Sequence, residues 1–220
     1  MWPHTLKVDS VQLEFGDRKI LQDVYLDCKQ GEIIGLLGRN GCGKSSLLKI
    51  IFGTLNPSYK YVSINDQFIH SGFQNCRIAY LPQDNYLPQG MRVDQLAPMV
   101  VADIHWEQFS AQPAYLDHHK KQTDQLSGGE LRQLEMLMIL YSRAEFILLD
   151  EPFTHISPVQ SDGFKLLLRE IAKTKGIILT DHQYDNIMDV SDRLILIENG
   201  CTRHIKHADE LVRYGYLSGN

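Results

Sequence analysis

Residues 38–45 read GRNGCGKS, which matches in full the pattern G-x-x-x-x-G-K-[ST] of phosphate-binding loops. The glycines let such a loop curl so that backbone N–H groups point inward at phosphate oxygens. Lys44 then places a compact positive charge at the β- and γ-phosphates, and the hydroxyl of Ser45 is available to a magnesium ion. An apolar stretch at 32–37 predicts a buried strand before the loop, and residues 45–52 predict a helix whose N-terminus faces the same anion. The loop therefore predicts a nucleotide site between a strand and a helix.

The sequence on both sides of this loop alternates between apolar strands and helices. Strands are predicted at residues 5–15, 20–28, 32–37, 61–69, 77–81, 146–149, 176–180 and 194–198, with a hairpin turn at 199–200, and helices at 45–52 and 163–173. This order implies a mostly parallel sheet covered on both faces. The predicted fold class is therefore α/β, with an N-terminal antiparallel β addition and an inserted helical subdomain. Residues 1–83 and 142–220 form the predicted nucleotide-binding core, and residues 84–141 form the insert.

Composition and charge narrow the class of protein. The chain has 220 residues, a net charge of -5 and a pI near 6.0, and it lacks the basic stripe that is typical of proteins that bind nucleic acids. Its four cysteines form no C-x-x-C pair, which favours a reduced, cytoplasmic protein. The N-terminal residues do not resemble a signal peptide, and no apolar stretch is long enough to cross a bilayer. We therefore expect any role at a membrane to require a partner chain.

A second motif lies at residues 146–151, which read FILLDE. An apolar strand here delivers two carboxylates at its C-terminal end, the edge at which parallel sheets bind ligands. We expect Asp150 to hold magnesium, directly or through water. Glu151 would orient and polarise the attacking water, because phosphoryl transfer depends on positioning and charge. An acidic turn that merely ends a strand is the alternative.

A third motif lies at residues 126–130, which read LSGGE and precede a helical stretch. A serine and two glycines at a helix start form a second place where backbone N–H groups and the helix dipole attract an anion. Since one phosphate loop is already present, a second anion site suggests a nucleotide shared between two chains. The alternative is a capped helix start with no ligand. The residues expected at this site are Ser127, Gly128, Gly129 and Glu130.

Together with Gln83 in AYLPQ and His182 in LTDH, these motifs resemble, in content and order, those of the ATP-binding cassette (ABC) family. The resemblance extends over nearly the whole chain. It implies that Gln83 senses magnesium and a transmembrane partner, and that His182 contacts the γ-phosphate. It also matches Phe15 with the aromatic residue that stacks on adenine, for which an aromatic face suffices. The alternatives are that Gln83 is a surface loop residue, that His182 is structural and that Phe15 belongs to the core of the strand.

The resemblance implies a P-loop NTPase core and an ATPase that powers transport. Two ATP-binding subunits, as a homodimer or heterodimer, would close on ATP and Mg²⁺ and drive an integral membrane transporter subunit that carries an unknown substrate. The protein would be cytoplasmic, peripheral on the inner face of the cell membrane through this partner, and nucleic acid is not an expected partner. The implied catalytic residues are Lys44, Glu151 and His182, and the implied metal-binding residues are Ser45, Gln83 and Asp150. The implied nucleotide-binding residues are Phe15, Gly38, Arg39, Asn40, Gly41, Cys42, Gly43, Lys44, Ser45, Ser46, Gln83, Ser127, Gly128, Gly129 and Glu130.

Three positions depart from the family pattern. Ser157 stands where the family usually carries an aspartate in a loop that crosses the dimer interface, so we expect weaker communication between the two ATP sites. Glu130 replaces a commoner glutamine in the LSGGE motif. Arg39 replaces a commoner proline, and we expect its charge beside the phosphates. No group needed for hydrolysis is missing, which argues against a binding module that never turns over.

The remaining expectations concern reactivity, contacts and a second class of function. Cys42 lies close to a helix N-terminus, which lowers a thiol pKa and favours the thiolate, although a buried, inert thiol is the alternative. His105, Trp106 and Phe109 are candidate exposed contacts with the membrane partner, with core packing as the alternative for Trp106. The alternative function is a soluble ABC-type ATPase that acts on ribosomes or DNA. The single cassette, the lack of zinc or coiled-coil insertions and the acidic balance disfavour it.

Overall fold

The computed structural model describes residues 3–217 of the chain. The strands are β1 (Thr5–Phe15), β2 (Arg18–Leu21), β3 (Leu26–Lys29), β4 (Ile33–Leu37), β5 (Tyr59–Ile64), β6 (Gln67–Phe68), β7 (Ile78–Leu81), β8 (Phe146–Asp150), β9 (Gly176–Thr180), β10 (Arg193–Glu198) and β11 (Cys201–Ile205). The helices are α1 (Lys44–Phe52), α2 (Val93–Val100), α3 (Trp106–Ser110), α4 (Pro113–His118), α5 (Gly128–Leu140), α6 (Pro158–Ala172), α7 (Tyr184–Val190) and α8 (Ala208–Arg213). Short 3-10 turns lie at Gln74–Cys76, Asp103–His105 and Thr123–Gln125.

A six-stranded sheet forms the centre of the fold, in the order β11-β10-β4-β9-β8-β7. Its neighbouring strands pair in parallel, except that β11 runs antiparallel to β10 at one edge. Every residue of β4, β8 and β9 is buried, as uninterrupted apolar runs predict for strands covered on both faces. The carboxyl ends of these three strands lie at one edge of the sheet, where the phosphate loop follows β4, Asp150 ends β8 and His182 follows β9. This edge holds the candidate site.

The N-terminal strands form a separate antiparallel sheet. Its order is β2-β1-β5-β6, and β3 also pairs with β1. Along β1, Leu6 and Val8 are fully buried while Lys7 between them is partly exposed, because successive side chains of a strand point to opposite faces. The buried face belongs to the same apolar cluster as Leu47 and Leu48 of α1. The predicted antiparallel addition is therefore confirmed, and it forms one wall around the helix that follows the phosphate loop.

Helices α2 to α5 and two of the 3-10 turns make up residues 84–141, where the sequence predicts helical structure. Helix α5 is the longest of the four, and most of its side chains are buried in the larger apolar cluster together with those of α2, α3 and α4. It also contacts β7 of the central sheet. Among the described residues, we find no helix that has both the length and the apolar character needed to span a membrane.

Two predicted strands differ from the structure. The strand expected at 20–28 is divided, because the backbone N–H of Gln22 leaves the ladder and donates to the carbonyl of Gly200 at 2.8 Å. The strand expected at 61–69 is a hairpin. Its turn residues, Asn65 and Asp66, have φ values of 53° and 60°, which suit a two-residue hairpin turn. An Asn-Asp pair is a turn signal within an otherwise β-favouring run, and its local geometry prevails over the run.

The helix expected at 163–173 begins five residues earlier, at Pro158. Ser157 is its N-cap, and the Ser157 Oγ accepts a hydrogen bond from the backbone N–H of Gln160 at 3.4 Å. Proline at the first helical position and serine before it are both typical of a helix start. The interface loop that the resemblance implies therefore ends in a capped helix. The hairpin predicted at residues 199–200 is confirmed by the antiparallel pairing of β10 with β11.

Candidate nucleotide-binding site

The phosphate loop runs from the end of β4 to the start of α1 and has the backbone of an anion cradle. Gly38, Gly41 and Gly43 have φ values of 154°, 76° and 108°, which favour glycine. A Cβ on Gly43 would lie 2.9 Å from Leu21 Cδ2, so close packing also requires glycine there. Gly43 is the N-cap of α1 and no side chain caps this helix, so its first backbone N–H groups remain available to an anion.

Backbone carbonyls of the loop hold Lys44. Its Nζ donates to the carbonyl oxygen of Gly38 at 2.7 Å and lies 3.4 Å from that of Arg39. The ammonium group therefore lies at the loop itself. An ammonium held by carbonyl oxygens can exchange one of them for a phosphate oxygen, because both are hydrogen-bond acceptors.

Asp150 ends β8 as a buried carboxylate that accepts three hydrogen bonds. Its Oδ1 accepts from Ser45 Oγ at 3.0 Å and from Thr180 Oγ1 at 2.8 Å. Its Oδ2 accepts from the hydroxyl of Tyr80 at 3.0 Å. Burial, together with the charge and hydrogen bond of Asp150, raises the pKa of Tyr80, so this phenol stays protonated and keeps donating. The carboxylate is thereby fixed against the helix that follows the phosphate loop.

The pairing of Ser45 with Asp150 fits a magnesium ion. Magnesium is usually held by one or two side-chain oxygens and completed by substrate phosphates and water. Within residues 3–217, no group of three or more His, Cys, Asp or Glu side chains could hold a metal ion. One hydroxyl and one carboxylate in contact suit a metal whose remaining ligands are phosphate groups and water.

Glu151 lies next to this cluster and has two polar neighbours. Gln83 Nε2 donates to Glu151 Oε2 at 3.0 Å, and His182 Nδ1 lies 3.5 Å from the same oxygen. The backbone of Glu151 has a φ of 50°, and its N–H donates to the carbonyl of Thr180 at 3.0 Å. The structure thus brings together three predicted site residues from three separate segments around one carboxylate.

A cleft of about 480 Å³ connects these groups. Its lining residues are Phe15, Ile20, Asn40, Gly41, Gly43, Lys44, Ser45, Ser46, Gln83, Glu151 and His182. Phe15 is 55% exposed at the end of β1, so it is not a strand core residue. An exposed aromatic face beside the phosphate loop has the chemistry needed to stack on a base.

The LSGGE motif lies outside this cleft. Ser127 is the N-cap of α5, where its hydroxyl accepts from the backbone N–H of Glu130 at 3.3 Å and its own N–H donates to Glu130 Oε2 at 2.7 Å. The N–H and the hydroxyl of Ser127 lower the pKa of Glu130, so the carboxylate is charged at neutral pH. A Cβ on Gly129 would lie 2.8 Å from the carbonyl oxygen of His155, which packs this glycine against the loop after β8. Ser127 and Gly128 are exposed, and the motif does not contribute to the lining of the cleft in its own chain.

A buried arginine joins α5 to the cleft. Arg132 is 1% exposed, and its Nη1 donates to the carbonyl of Pro82 at 2.7 Å. Its Nη2 donates to the carbonyls of Asp150 and Glu151 at 3.0 and 3.2 Å. Burial lowers the pKa of Arg132, and the nearby carboxylate of Glu135 opposes that shift. The guanidinium therefore bonds to the backbone just before Gln83 and to the backbone of both Asp150 and Glu151. It holds these two segments together.

Sequence reasoning did not identify Arg132 and Glu135 as site residues. Glu135 is fully buried and accepts hydrogen bonds from the backbone N–H groups of Tyr86 and Leu87 at 2.7 and 3.1 Å. The Arg132–Glu135 pair therefore links α5 to the segment after β7 and to the end of β8. A signal was present, because two opposite charges three residues apart stand within the apolar run LRQLEMLMIL. Charged residues are almost never fully buried unless they are paired.

Two expectations at the phosphate loop are wrong. Burial raises the pKa of Cys42, and this outweighs the charge of Lys44 and the backbone N–H groups that lower it. The thiol is therefore less reactive at neutral pH than its place near a helix N-terminus predicts. Arg39 does not line the cleft, because its Nη2 donates to the carbonyl of Gly215 at 2.7 Å. Arg39 instead lines a neighbouring pocket, which it shares with Asn40, Gly41 and Cys42 of the same loop.

The aromatic residues proposed as exposed contacts pack inward. Phe109 is fully buried, and its ring centroid lies 4.8 Å from that of Tyr115 and 5.6 Å from that of Trp106. Trp106 packs against the larger apolar cluster, so core packing is correct for it. His105 is half-buried, and its ring lies beside that of Tyr141. The exposed-contact expectation is therefore wrong for Phe109.

The family model described as ABC transporter matches residues 21–154, which is more than half of the chain. The chain belongs to the ABC transporter family. A probable ABC transporter ATP-binding protein of Azorhizobium caulinodans is 30% identical over 205 residues, which cover 84% of this chain and 71% of the relative. The lipopolysaccharide export system ATP-binding protein LptB of Escherichia coli K12 is 28% identical over 211 residues, which cover 89% of this chain and 88% of the relative.

Solved structures of ABC proteins share the fold. An ATP-binding subunit of an ABC transporter has a TM-score of 0.83 at 22% identity, over 98% of this chain and 95% of the other. A bacterial Atm1-family ABC exporter with ATP bound has a TM-score of 0.84 at 19% identity, over 98% of this chain and 41% of the other. These likenesses confirm the predicted fold class. As a member of the ABC transporter family, the chain is an ATP-binding subunit and an ATPase.

Proposed function

We propose that two copies of an ABC ATP-binding subunit, this chain with itself or with a similar chain, close on ATP and drive an integral membrane transporter subunit. One observation carries the proposal. Residues of the phosphate loop, Glu151 and His182 line one cleft, and Asp150 is bonded to Ser45 beside it, whereas the LSGGE helix start is exposed and lies outside the cleft. A second anion site that its own cleft does not use is suited to the cleft of another chain.

The groups of the cleft divide the work of hydrolysis. Lys44 binds the β- and γ-phosphates, and the N–H groups at the start of α1 bind the remaining oxygens. Glu151 orients and polarises the attacking water, while Gln83 and His182 fix its carboxylate at 3.0 and 3.5 Å. Ser45 and Asp150 would hold Mg²⁺, which neutralises phosphate charge when it is bound. Phe15 stacks on the base.

The shared arrangement makes bound nucleotide part of the dimer interface. Ser127 and the N–H groups at the start of α5 in one chain reach the γ-phosphate held by Lys44 of the other. The dimer is thereby stabilised by any ligand that binds only its closed form. Cleavage of the γ-phosphate removes a contact that both chains share, so hydrolysis reopens the pair.

An apolar groove offers a place for the membrane partner. It has a volume of about 490 Å³ and lies between the central sheet and α2, where Phe73 and Met99 are exposed at 46% and 76%. Pro82 lines it, and the same Pro82 carbonyl accepts the hydrogen bond of Arg132. A short apolar helix of the transporter subunit, seated in this groove, would therefore be connected to the backbone of Glu151. Bound in this way, the chain lies on the cytoplasmic face of the membrane.

Mixing two inactive variants tests whether the site is shared. Lys44→Ala damages the phosphate-loop half of a site, and Ser127→Arg damages the LSGGE half. A mixed dimer keeps one site in which both halves are intact, so the mixture should hydrolyse more ATP than the two separate proteins combined.

The matched control is a mixture of Lys44→Ala with Glu151→Gln. Both changes lie in the phosphate-loop half, so each site of that mixed dimer is damaged and no activity should return. Wild-type turnover by Ser127→Arg alone would contradict the proposal, because it would show that one chain contains a complete site. Failure of the first mixture to exceed the sum of its parts would contradict it as well.

A further inference from the structure

The last described residues of the chain form a hydrogen-bonded turn after α8. The backbone N–H of Tyr216 donates to the carbonyl of Leu211 at 2.8 Å, and that of Gly215 donates to Val212 at 2.9 Å. Gly215 has a φ of 65°, in the left-handed region. These two bonds and this conformation are those of a Schellman motif, in which glycine ends a helix at low conformational cost. The turn therefore presents the Gly215 carbonyl and the Tyr216 ring in a fixed direction.

Both groups are presented to the phosphate loop. Arg39 Nη2 donates to the Gly215 carbonyl at 2.7 Å, across 176 positions of sequence. The pKa of Tyr216 is raised, first by burial and then by Cys42 and Tyr184. Tyr216 is nevertheless placed beside Cys42, the fifth residue of the GRNGCGKS loop. Cys42 and Tyr216 line the same pocket on the outer side of the loop.

Tyr216 also contacts the segment that follows His182. Its ring centroid lies 6.3 Å from that of Tyr184, the first residue of α7, and the ring packs against the larger apolar cluster. One side chain therefore bridges the two segments that carry Lys44 and His182. Because the turn is closed by its own backbone bonds, movement of either segment has to disturb these contacts.

The residues held by the turn are those that place the lysine. Lys44 Nζ is bonded to the carbonyl of Gly38 and lies 3.4 Å from that of Arg39. A change in the direction of either carbonyl would move the ammonium group. A loop held in its binding geometry spends less free energy on ordering when the ligand arrives.

We propose that Arg39 and Tyr216 are positioning residues, through which the turn after α8 holds the phosphate loop in the geometry that binds ATP. The inference rests on the proposed role of Lys44. It explains the arginine at position 39 by its hydrogen bond to Gly215 rather than by a contact between its charge and a phosphate.

Nucleotide affinity and thiol exposure test the proposal together. In the full chain, Tyr216→Ala and Arg39→Leu should each weaken ATP binding about fivefold, as expected for the loss of one ordering contact. The KM for ATP should rise, while kcat at saturating ATP should fall much less. Combined, the two changes should cost less than the product of their separate effects, because both act through one turn. Arg39→Lys retains a donor and should recover part of the affinity.

Chemical labelling of Cys42 measures the exposure of the phosphate loop and does not require ATP hydrolysis. Maleimide labelling of Cys42, located by peptide mass spectrometry, should be faster in Tyr216→Ala than in the wild type. Val212→Ala is the matched control, because Val212 belongs to the same turn but its side chain is exposed and lines neither the cleft nor the pocket that holds Cys42. It should leave both affinity and labelling unchanged.

Wild-type ATP affinity and wild-type Cys42 labelling in Tyr216→Ala and Arg39→Leu would overturn the proposal. Equal losses in Val212→Ala would also overturn it, since they would indicate general destabilisation. Failure of the proposed role of Lys44 would give a different result. In that case Lys44→Ala would bind ATP as tightly as the wild type.

Discussion

The cleft and the LSGGE loop are both proposed to bind anions at helix N-termini, but their surroundings differ. In the cleft, side chains from separate segments are joined to one another, as Ser45 is to Asp150 and Gln83 is to Glu151. At the LSGGE loop, the hydroxyl of Ser127 accepts its hydrogen bond from Glu130 of its own helix. This difference indicates that one half of the proposed site contains the groups that react, whereas the other supplies binding groups alone.

The two regions are nevertheless connected through one helix. Helix α5 begins with the LSGGE motif, and its second turn carries Arg132, which donates to the carbonyls of Asp150 and Glu151. The start of α5 therefore lies close to the C-terminal end of β8, and a displacement of one would act near the other. Variants that damage either region, or the link between them, test this division between reacting and binding groups.

The largest effects are expected inside the cleft. Lys44→Ala removes the charge at the phosphates and should weaken ATP binding itself. Asp150→Asn keeps the shape of the carboxylate but removes its charge, so magnesium-dependent hydrolysis should fall about a hundredfold, as for the loss of one preorganised electrostatic contact. ATPase rates at varied magnesium measure the effect. Turnover near the wild-type rate in either variant would remove the proposed active site.

Loss of the link through Arg132 should lower the free energy of unfolding. Arg132→Met leaves Glu135 buried without its cation, and breaking a buried pair in this way costs about 3 kcal/mol of unfolding free energy. Chemical denaturation measures it. The double variant Arg132→Met, Glu135→Gln should recover part of this loss, because no uncompensated charge is left. A single variant as stable as the wild type would show that the pair does not hold the two regions together.

A smaller effect is expected at Cys42, which lies in the loop but whose thiol pKa is raised by burial. Its labelling by maleimide should be slow at pH 7 and should increase about tenfold per pH unit, because only the thiolate reacts and the group ionises above its ordinary range. Saturating Mg-ATP should suppress the labelling. Equal labelling with and without nucleotide, followed by peptide mass spectrometry, would count against the placement of Cys42 in the phosphate loop.

The smallest effect is expected at Ser157. Aspartate is as good an N-cap as serine, so Ser157→Asp should leave the stability of α6 unchanged. The added charge would act at the proposed dimer interface, where we expect a higher Hill coefficient for ATP in the assembled complex. An unchanged dependence on ATP would make Ser157 a neutral replacement whose task is to cap the helix.

The centre of the six-stranded sheet was predictable because β4, β8 and β9 are covered on both faces and read as uninterrupted apolar runs. The stretch FILLD is β8 with every residue buried, and the phosphate loop follows β4 as its motif requires. The positions at the sheet edge follow from that order, since parallel strands end on the same side. Local patterns therefore suffice where the geometry repeats.

The remainder depends on contacts between residues that are far apart in sequence. Arg39 donates to Gly215 across 176 positions, and Arg132 reaches Pro82 across 50. No local pattern contains the partner of such a side chain. Cys42 shows the same limitation, because its pKa follows from burial by packed neighbours, while the sequence shows only the helix start beside it. Ser157 is different, since Ser-Pro signals a helix start that the family resemblance obscured.

The oligomeric state of Glu151→Gln tests the shared site most directly. This change keeps the shape of the side chain but removes the charge that polarises water, so ATP should bind and persist. The variant should elute from a sizing column as a dimer with Mg-ATP and as a monomer with ADP. The double variant with Ser127→Arg should stay monomeric in both, because the added cation obstructs the start of α5. A Glu151→Gln protein that binds ATP and remains a monomer at high concentration would contradict the account.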